Sequence, residues 1–249
     1  MAYPFPHQEL HKIFKNTFLQ NTFAELHFPQ ITESEWNNGV QIQSFLSKYF
    51  HINNAIVTWD NIQNGVSLTN KDTDVTIHFS KDFVGVRVGR KNYQSFATSV
   101  MPYLYLLKGY VKEVLSRDNV VSIDVRKINL WPYYEEVSKN QLGDHKIVHT
   151  IISEPLINDA KDVKEVEGVQ LQTVDYQERE TSLCIGYGIT KNESGPILIL
   201  DMTAKSEQTQ PTSLSDVETK LDELNTFLYD AYHWSVTETV IQWMEGKEE

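Results

Sequence analysis

"DVTIHFSKDFVGVRVGR", residues 74–90, is the stretch that decides the fold. Apolar side chains occupy every second position in each of its halves, which is the period of a β-strand with one buried face. These apolar positions are Val75, Ile77, Phe79, Val84, Val86 and Val88. Lys81 and Asp82 lie between the two runs and fit a short turn. The stretch therefore predicts two antiparallel strands joined as a hairpin.

Strand patterns extend from this hairpin in both directions along the chain. "AIVTWDNIQNGVSLTNKD" (55–72) precedes it and contains turn signals at Asn64-Gly65 and at Asn70-Lys71-Asp72. A short strand around Leu26 is stopped by Pro29. Further strand candidates follow the hairpin: "VVSIDVRKINLW" (120–131), "KIVHTII" (146–152), "VQLQTVDYQ" (169–177), "TSLCIGYGIT" (181–190) and "PILILDMTA" (196–204).

Three other stretches have the three-to-four-residue spacing of amphipathic helices. The first, 32–50, begins with Thr32 and Glu35 at the spacing of a capping box. The second, 93–117, carries Pro102, which should lie in its first turns or kink it. The third covers 214–244, and Thr212 or Ser213 would cap it.

This order of elements predicts an α+β protein: mainly antiparallel sheet with long helices packed on one face. Residues 1–117 and 118–249 form its two halves, each with several strands followed by one long helix. We expect the halves to make one compact unit. The order is compatible with an ancient duplication, although no repeat at the level of residues supports one.

Strand candidate 120–131 contains a break in its pattern. Val121, Ile123 and Val125 share one face, whereas Ile128 and Leu130 lie at positions of the opposite parity. A slip of phase inside a strand predicts a β-bulge, and bulges can redirect side chains near functional sites.

Composition narrows the classes of function. The chain has 249 residues, 40% of them hydrophobic, and a formal net charge of −12, which argues against general nucleic-acid binding. Its one cysteine, Cys184, cannot form an intramolecular disulfide and has no basic surroundings in the sequence, so we expect it to pack. Signal-peptide and membrane-span patterns are absent from the sequence, which predicts a cytoplasmic protein without membrane contact. Residues 161–168, "KDVKEVEG", favour a solvated linker or insertion.

Known catalytic and metal-binding motifs are also missing from the sequence. "GVRVGR" lacks the order of a phosphate-binding loop, and neither H-E-x-x-H nor G-x-S-x-G occurs. His145 and His149 would align on a helix, but the strand predicted there places them about 13 Å apart. We therefore predict no catalytic residue, no metal ligand and no cofactor.

The polar residues that favour binding form one set: Arg87, Arg90, Arg126, Lys127 and Asn129. If their strands are neighbours, Arg87 and Arg126 share a face and can bind an anion bidentately. The alternative is that these cations pair with the chain's own carboxylates, such as Asp124 or Glu135.

Three blocks of sequence resemble a known family. In the first, "NTFLQNTFAELHFPQI" (16–31), Phe28 and Pro29 match a strand that ends in apolar-Arg-Phe-Pro. Gln20 occupies the position of a Glu in this pattern, and His27 replaces the Arg.

The second block, "VVSIDVRKINLW", resembles a Gly-Leu-Arg-Tyr-Ile-Asn strand, with Asp124 in place of Gly and Lys127 in place of Tyr. The matching residues are Arg126, Ile128 and Asn129.

In the third block, "LNTFLYDAYHWSVTETVIQWM" (224–244), Tyr232, Thr237 and Glu238 fit a terminal helix, and Asn225 stands at a His position. Together the blocks resemble the sporadically distributed, uncharacterised prokaryotic protein family of about this length. The resemblance supplies no activity, cofactor or catalytic residue. Its patchy distribution implies an accessory role, for which antiviral defence is an example.

These observations favour a non-enzymatic regulatory protein that binds a protein partner, or an anionic small molecule at Arg87 and Arg126. The alternative is a metal-dependent hydrolase or nuclease-like enzyme that uses Asp124, Arg126 and neighbouring carboxylates on a phosphate-containing substrate. A third hypothesis is homo-oligomerisation through strand edges or the terminal helix.

Overall fold

A computed structural model describes residues 3–8, 14, 17–32, 36, 44–45, 57–62 (backbone only), 65–133, 142, 145–178, 180–192, 195–206 and 210–246. Within these residues the protein is α+β, and antiparallel sheet dominates it. Most of the helix predicted for 32–50, including the Glu35 end of its capping box, lies outside the described residues.

Twelve strands are described. Their bounds are β1 Leu19–His27, β2 Val57–Ile62, β3 Gly65–Asn70, β4 Val75–Ser80, β5 Phe83–Gly89, β6 Asn119–Val120, β7 Ser122–Pro132, β8 Asp162–Val166, β9 Val169–Glu178, β10 Thr181–Asn192, β11 Gly195–Ser206 and β12 Thr212–Ser213. The predicted hairpin is confirmed, since β4 and β5 pair antiparallel on either side of Lys81 and Asp82. The strands predicted for 169–177, 181–190 and 196–204 are confirmed as β9, β10 and β11.

The helices are mostly short, which corrects the prediction of long ones. Their bounds are α1 Phe96–Ser99, α2 Leu104–Gly109, α3 Lys146–Ile151, α4 Glu154–Asp159, α5 Val217–Ser235 and α6 Glu238–Glu245. Only α5, with 19 residues, is long among the described helices. Pro102 lies in a 3₁₀ turn, Met101–Tyr103, between α1 and α2, so the helix predicted for 93–117 is divided where proline removes a backbone donor. No described helix has the length and hydropathy needed to cross a membrane.

The contacts divide the chain into two compact, discontinuous units. Unit 1 comprises Met1–Gln20, Arg126–Ala204 and Asn225–Glu249, and unit 2 comprises Asn21–Val125 and Lys205–Leu224. The predicted division at residues 117 and 118 stays a prediction, because compactness alone does not define evolutionary or folding domains.

In unit 2 the strand order is β2-β3-β4-β5-β1, followed by the first residues of β7. The apolar face of β4 and β5 is buried, as their alternation predicted, and Thr76 and Ser80 on the polar face of β4 are buried as well. Tyr110, which follows α2, lies 4.9 Å from Phe79 of β4 between ring centroids, in an edge-to-face arrangement. The helical segment after Pro102 therefore packs on the apolar face of this sheet.

In unit 1 the strand order is β7-β11-β10-β9-β8, from Arg126 onward in β7. Trp234 of α5 packs edge-on against Tyr176 of β9, with 6.0 Å between ring centroids. The connection between α3 and α4 is fixed to the end of α5, because Ser153 Oγ donates to the Trp234 carbonyl at 2.6 Å. A long helix thus packs against the antiparallel strands of this unit.

Three local predictions are wrong. Residues 146–151 form helix α3 rather than a strand, and the buried residues Val148, Ile151 and Ile152 have the spacing of a helix face. A short apolar run does not distinguish the two structures by periodicity alone. Residues 162–166 form edge strand β8 rather than a linker, and their mostly exposed, charged side chains are typical of a protected edge. The predicted cap at Thr212 or Ser213 is also wrong, because these residues form β12 and α5 begins at Val217.

Glu167 allows a test of the turn that creates β8. Glu167 and Gly168 have φ of +52° and +80°, the conformation of a type I′ turn. We expect Glu167→Asn to change the free energy of unfolding by less than about 1 kcal/mol, because asparagine tolerates positive φ. Glu167→Val should cost about 1 kcal/mol more, since β-branched residues are strained there. Urea denaturation of both variants measures the difference, and equal stabilities would contradict the turn assignment.

Candidate binding site on strand β7

On both sides of the break in its sequence pattern, the buried residues of strand β7 lie on the same face, while Lys127 at the break is only partly buried. The buried residues of its inner face include Ile123, Val125, Asn129 and Trp131. The intervening residues, only partly buried, are Asp124, Arg126, Ile128 and Leu130. The predicted slip of phase within this strand is therefore wrong. The irregularity precedes the strand at Val121, which is exposed, and what changes at Lys127 is the polarity of the inner face.

Lys127 lies on the inner face between Val125 and Asn129, where an apolar residue would be expected. Its Nζ donates a hydrogen bond to Oδ1 of Asn225 on α5, at 2.7 Å. Burial lowers the pKa of Lys127 to about 8, because the surroundings disfavour the charged ammonium. Lys127 and Asn225 both belong to unit 1.

The next two inner-face residues of β7 are buried and polar. Asn129 and Trp131 are 4% and 3% exposed. Within the part of the chain that the structure describes, neither Asn129 Nδ2 nor Trp131 Nε1 has a hydrogen-bond partner. Buried N–H groups are rarely left in this state, because each loses its hydrogen bonds to water. Lys127, Asn129 and Trp131 thus form a row of donors, which we call the β7 donor row.

Arg126 points to the opposite face of β7 and is held by carboxylates. Its Nε lies 2.9 and 3.1 Å from the two oxygens of Asp201 on β11, and its Nη2 donates to Asp201 at 2.7 Å. Nη1 donates to Glu167 Oε1 at 3.0 Å. Burial would lower the pKa of Arg126, but the hydrogen bonds and charges of both carboxylates raise it above its usual value. Arg126 is therefore an internal ion-pair centre.

A shallow depression of about 210 Å³ lies beside this ion pair in unit 1. Its lining includes Arg126, Asp201, Lys164 and Cys184. Lys164 Nζ is itself bonded to Asp175 at 2.6 Å, so carboxylates already balance both cations. Burial and the carboxylate of Asp175 raise the pKa of the Cys184 thiol to about 11, which makes it a poor nucleophile at neutral pH.

The remaining predicted binding residues, Arg87 and Arg90, lie in unit 2. Arg87 donates to Asp74 Oδ1 at 2.9 Å and to Asn21 Oδ1 at 2.8 Å. Arg90 is exposed at the start of a 3₁₀ turn. The contacts of Arg87 and Arg126 follow the carboxylate-pairing alternative, with Asp74, Asp201 and Glu167 as partners, while Glu135 lies outside the described residues. Anion binding at these arginines stays a prediction.

A second polar cluster lies on β1 and β7 within unit 2. His27 Nε2 is 3.2 Å from Glu25 Oε2 and 3.4 Å from Asp124 Oδ2. Burial alone would lower the pKa of His27, but the two carboxylates raise it to about 9. This is the group of His, Cys, Asp and Glu residues, among those described, whose ligand atoms lie close enough together to bind a metal ion.

Sequence reasoning missed Trp131, Glu25 and His27 as site residues. Only His27 had a signal in the sequence, because it replaces the Arg of the pattern described above, whereas Trp131 and Glu25 had none. His27 and Asp124, which both replace pattern residues, are in contact with each other. The same is true of Lys127 and Asn225. A pair of departures that meet in space indicates a local change of chemistry better than either residue alone.

Comparisons with known proteins supply no function. No family model matches the chain, and no curated protein matches it. One solved structure, the di-domain ARO/CYC StfQ from the steffimycin biosynthetic pathway, is similar over 71% of this chain and 77% of its own chain. Its sequence identity is 12% and its TM-score is 0.16, which is too low to support an argument about fold or function.

Proposed function

We propose that the protein is a non-enzymatic regulatory protein that binds an anionic small molecule at the β7 donor row. The observation that carries this proposal is the buried amide of Asn129, whose Nδ2 has no hydrogen-bond partner among the described residues. Two of the residues predicted to bind, Lys127 and Asn129, belong to the row, while Arg126 is already paired with carboxylates.

The geometry of the row defines the class of ligand. Lys127, Asn129 and Trp131 alternate along one strand, so neighbouring members are separated by about 7 Å along its axis. All three side chains present N–H donors, and Lys127 adds a positive charge below its pKa. A suitable ligand therefore carries an anionic group and a second acceptor, as dicarboxylates and phosphate esters do.

A thermal-shift experiment tests this site. The probes are succinate, citrate, inorganic phosphate and AMP, which separate carboxylate from phosphate chemistry. A probe at 100 times its Kd adds about 2.7 kcal/mol to the stability of the folded state, or about 5–10 °C in Tm for a chain of this size. We expect at least one probe to produce such a shift in the wild-type protein.

Asn129→Leu is the informative variant, because it removes a donor without opening a large cavity. The shift should disappear in Asn129→Leu and persist in Lys164→Met, which removes a cation paired with Asp175 on the other face of the unit 1 strands. The proposal fails if no probe stabilises the wild-type protein, or if Asn129→Leu responds as the wild-type protein does.

We also propose that ligand binding controls association with a protein partner. The resemblance implies an accessory role, and a prokaryotic antiviral defence system is the setting we propose. The efficiency of phage plating on host cells tests this role. Cells that carry the wild-type gene should resist a phage that plates normally on cells carrying Asn129→Leu, and equal plating on both would contradict it.

The alternative of a metal-dependent hydrolase or nuclease-like enzyme using Asp124 and Arg126 stays a prediction. The geometry favours it less, since Arg126 is bound to Asp201 and Glu167 and is not directed at a substrate. Metal-dependent turnover of a phosphodiester that disappears in Asp124→Ala would support it, and unchanged turnover in that variant would contradict it. Homo-oligomerisation is likewise a prediction, and a monomeric mass by light scattering would contradict it.

A further inference from the structure

The histidine–carboxylate cluster of unit 2 is independent of the β7 donor row and has a geometry of its own. We propose that Glu25, His27 and Asp124 bind a divalent transition-metal ion such as Zn²⁺. Each residue offers one ligand atom, and these atoms lie within 4.8 Å of one another. All three residues belong to unit 2, so the site is complete within it.

The distances from His27 fit metal coordination. Zn²⁺ binds imidazole nitrogen and carboxylate oxygen at about 2.0–2.2 Å, so the edges of a tetrahedral site measure about 3.3–3.6 Å. His27 Nε2 lies 3.2 Å from Glu25 Oε2 and 3.4 Å from Asp124 Oδ2. An ion can therefore bind all three groups after small movements of the side chains.

The orientation of His27 supports the same conclusion. Its Nε2 is buried and lies 3.2 and 3.4 Å from two carboxylate oxygens that attract it, but it makes no well-aligned hydrogen bond to either of them. Asp124 Oδ1 is also buried and lacks a hydrogen bond to any residue that the structure describes. A ring nitrogen near two oxygens but directed at neither is the arrangement of ligands around a shared centre.

Neighbouring residues hold the cluster in place. Glu25 lies across Gly85 of β5, where a Cβ atom would be 2.8 Å from Glu25 Cγ. Only glycine at position 85 leaves enough space for the Glu25 side chain to lie where it does. The three side chains are 18–28% exposed, so an ion from solvent can reach them while most of the surrounding water is excluded. One nitrogen and two carboxylate ligands favour Zn²⁺ or Co²⁺ over Mg²⁺, which prefers oxygen ligands and water.

Titration with Co²⁺ tests the site, because Co²⁺ in a low-symmetry protein site absorbs visible light. The full-length protein, treated with EDTA and then dialysed, should gain a visible band that saturates at one equivalent of Co²⁺. Zn²⁺ should abolish the band, whereas Mg²⁺ should not. His27→Gln and Asp124→Asn should each weaken binding by more than about 100-fold, since each removes a direct ligand.

His7→Gln is the matched control. His7 also contacts a carboxylate, with Nδ1 2.8 Å from Asp230 Oδ2, but this pair lies in unit 1. The variant should bind Co²⁺ as the wild-type protein does. Far-ultraviolet circular dichroism shows whether each variant is folded. Gly85→Ala is the substitute test if a ligand variant does not fold. It keeps all three ligands but displaces Glu25, so it should weaken the binding of Co²⁺. The proposal is overturned if the folded wild-type protein gains no band. It is also overturned if His27→Gln and Asp124→Asn are both folded and bind Co²⁺ with unchanged affinity. If a ligand variant does not fold, the same conclusion follows when Gly85→Ala binds Co²⁺ as the wild-type protein does.

Discussion

Replacing Asp201 with alanine should lower the free energy of unfolding by about 3 kcal/mol, because the change removes the main counter-charge of a largely buried guanidinium. Asp201 is 8% exposed and accepts hydrogen bonds from Nε and Nη2 of Arg126. Glu167 remains as a partner, but its side chain is 72% exposed and compensates the lost charge only weakly. Urea denaturation at neutral pH measures the loss.

Two further variants separate a buried ion pair from a surface one. Asp175→Ala breaks the exposed pair with Lys164 and should cost at most about 1 kcal/mol. The double variant Arg126→Met/Asp201→Leu should recover most of the stability lost in Asp201→Ala, because apolar side chains can replace a buried ion pair. A loss in Asp201→Ala no larger than that in Asp175→Ala would show that Arg126 is not a structural centre.

The strands of this protein were predictable where one face is buried and the other is polar. β4 and β5 alternate over several residues, and a two-residue connection such as Lys81-Asp82 leaves few other pairings. The helix α3 was not predictable, because a run of seven residues satisfies both periods. The edge strand β8 was missed for a different reason: its stability comes from pairing with β9 and not from a buried face, so its side chains show no apolar pattern.

The candidate site was only partly predictable, since a polar residue at a buried position imitates a change of phase. The sequence of β7 shows Lys127 and Asn129 where apolar residues would continue the alternation, and a pattern of polarity cannot distinguish a bulge from a polar inner face. The sequence nevertheless led to Lys127 and Asn129 as binding residues, and that role stays a prediction. Glu25 and His27 do not interrupt an apolar pattern, and their proximity to Asp124 depends on strand pairing, which periodicity does not reveal.

Replacing Lys127 with methionine should stabilise the folded protein by about 2 kcal/mol at pH 7 while abolishing the binding of anions to the β7 donor row. Burial lowers the pKa of Lys127 to about 8, from an ordinary value of 10.5. This difference sets an upper limit of about 3 kcal/mol on the cost of the buried ammonium. The gain is smaller than the limit because Asn225 loses the hydrogen bond it accepts.

The pH dependence identifies the source of this gain. Between pH 8 and 10.5 the unfolded chain retains a proton on Lys127 that the folded protein has released, so the stability of the wild-type protein rises with pH relative to the variant. The advantage of Lys127→Met is therefore full below pH 8 and decreases by about 1.4 kcal/mol per pH unit above it. Lys164→Met, which removes a partly exposed lysine, should show no such decrease. An advantage that does not vary with pH would contradict the burial of a charged Lys127.

A residue that destabilises the folded state is retained in evolution when the function of the protein depends on it. If Lys127 serves the anion site, the stabilised variant must lose the thermal shift that succinate, citrate, phosphate or AMP produces in the wild-type protein. The wild-type shift should also weaken as the pH rises through 8, because the neutral amine no longer attracts an anion. A variant that is more stable and binds as well as the wild-type protein would remove Lys127 from the site, and Asn129 and Trp131 would then act without it.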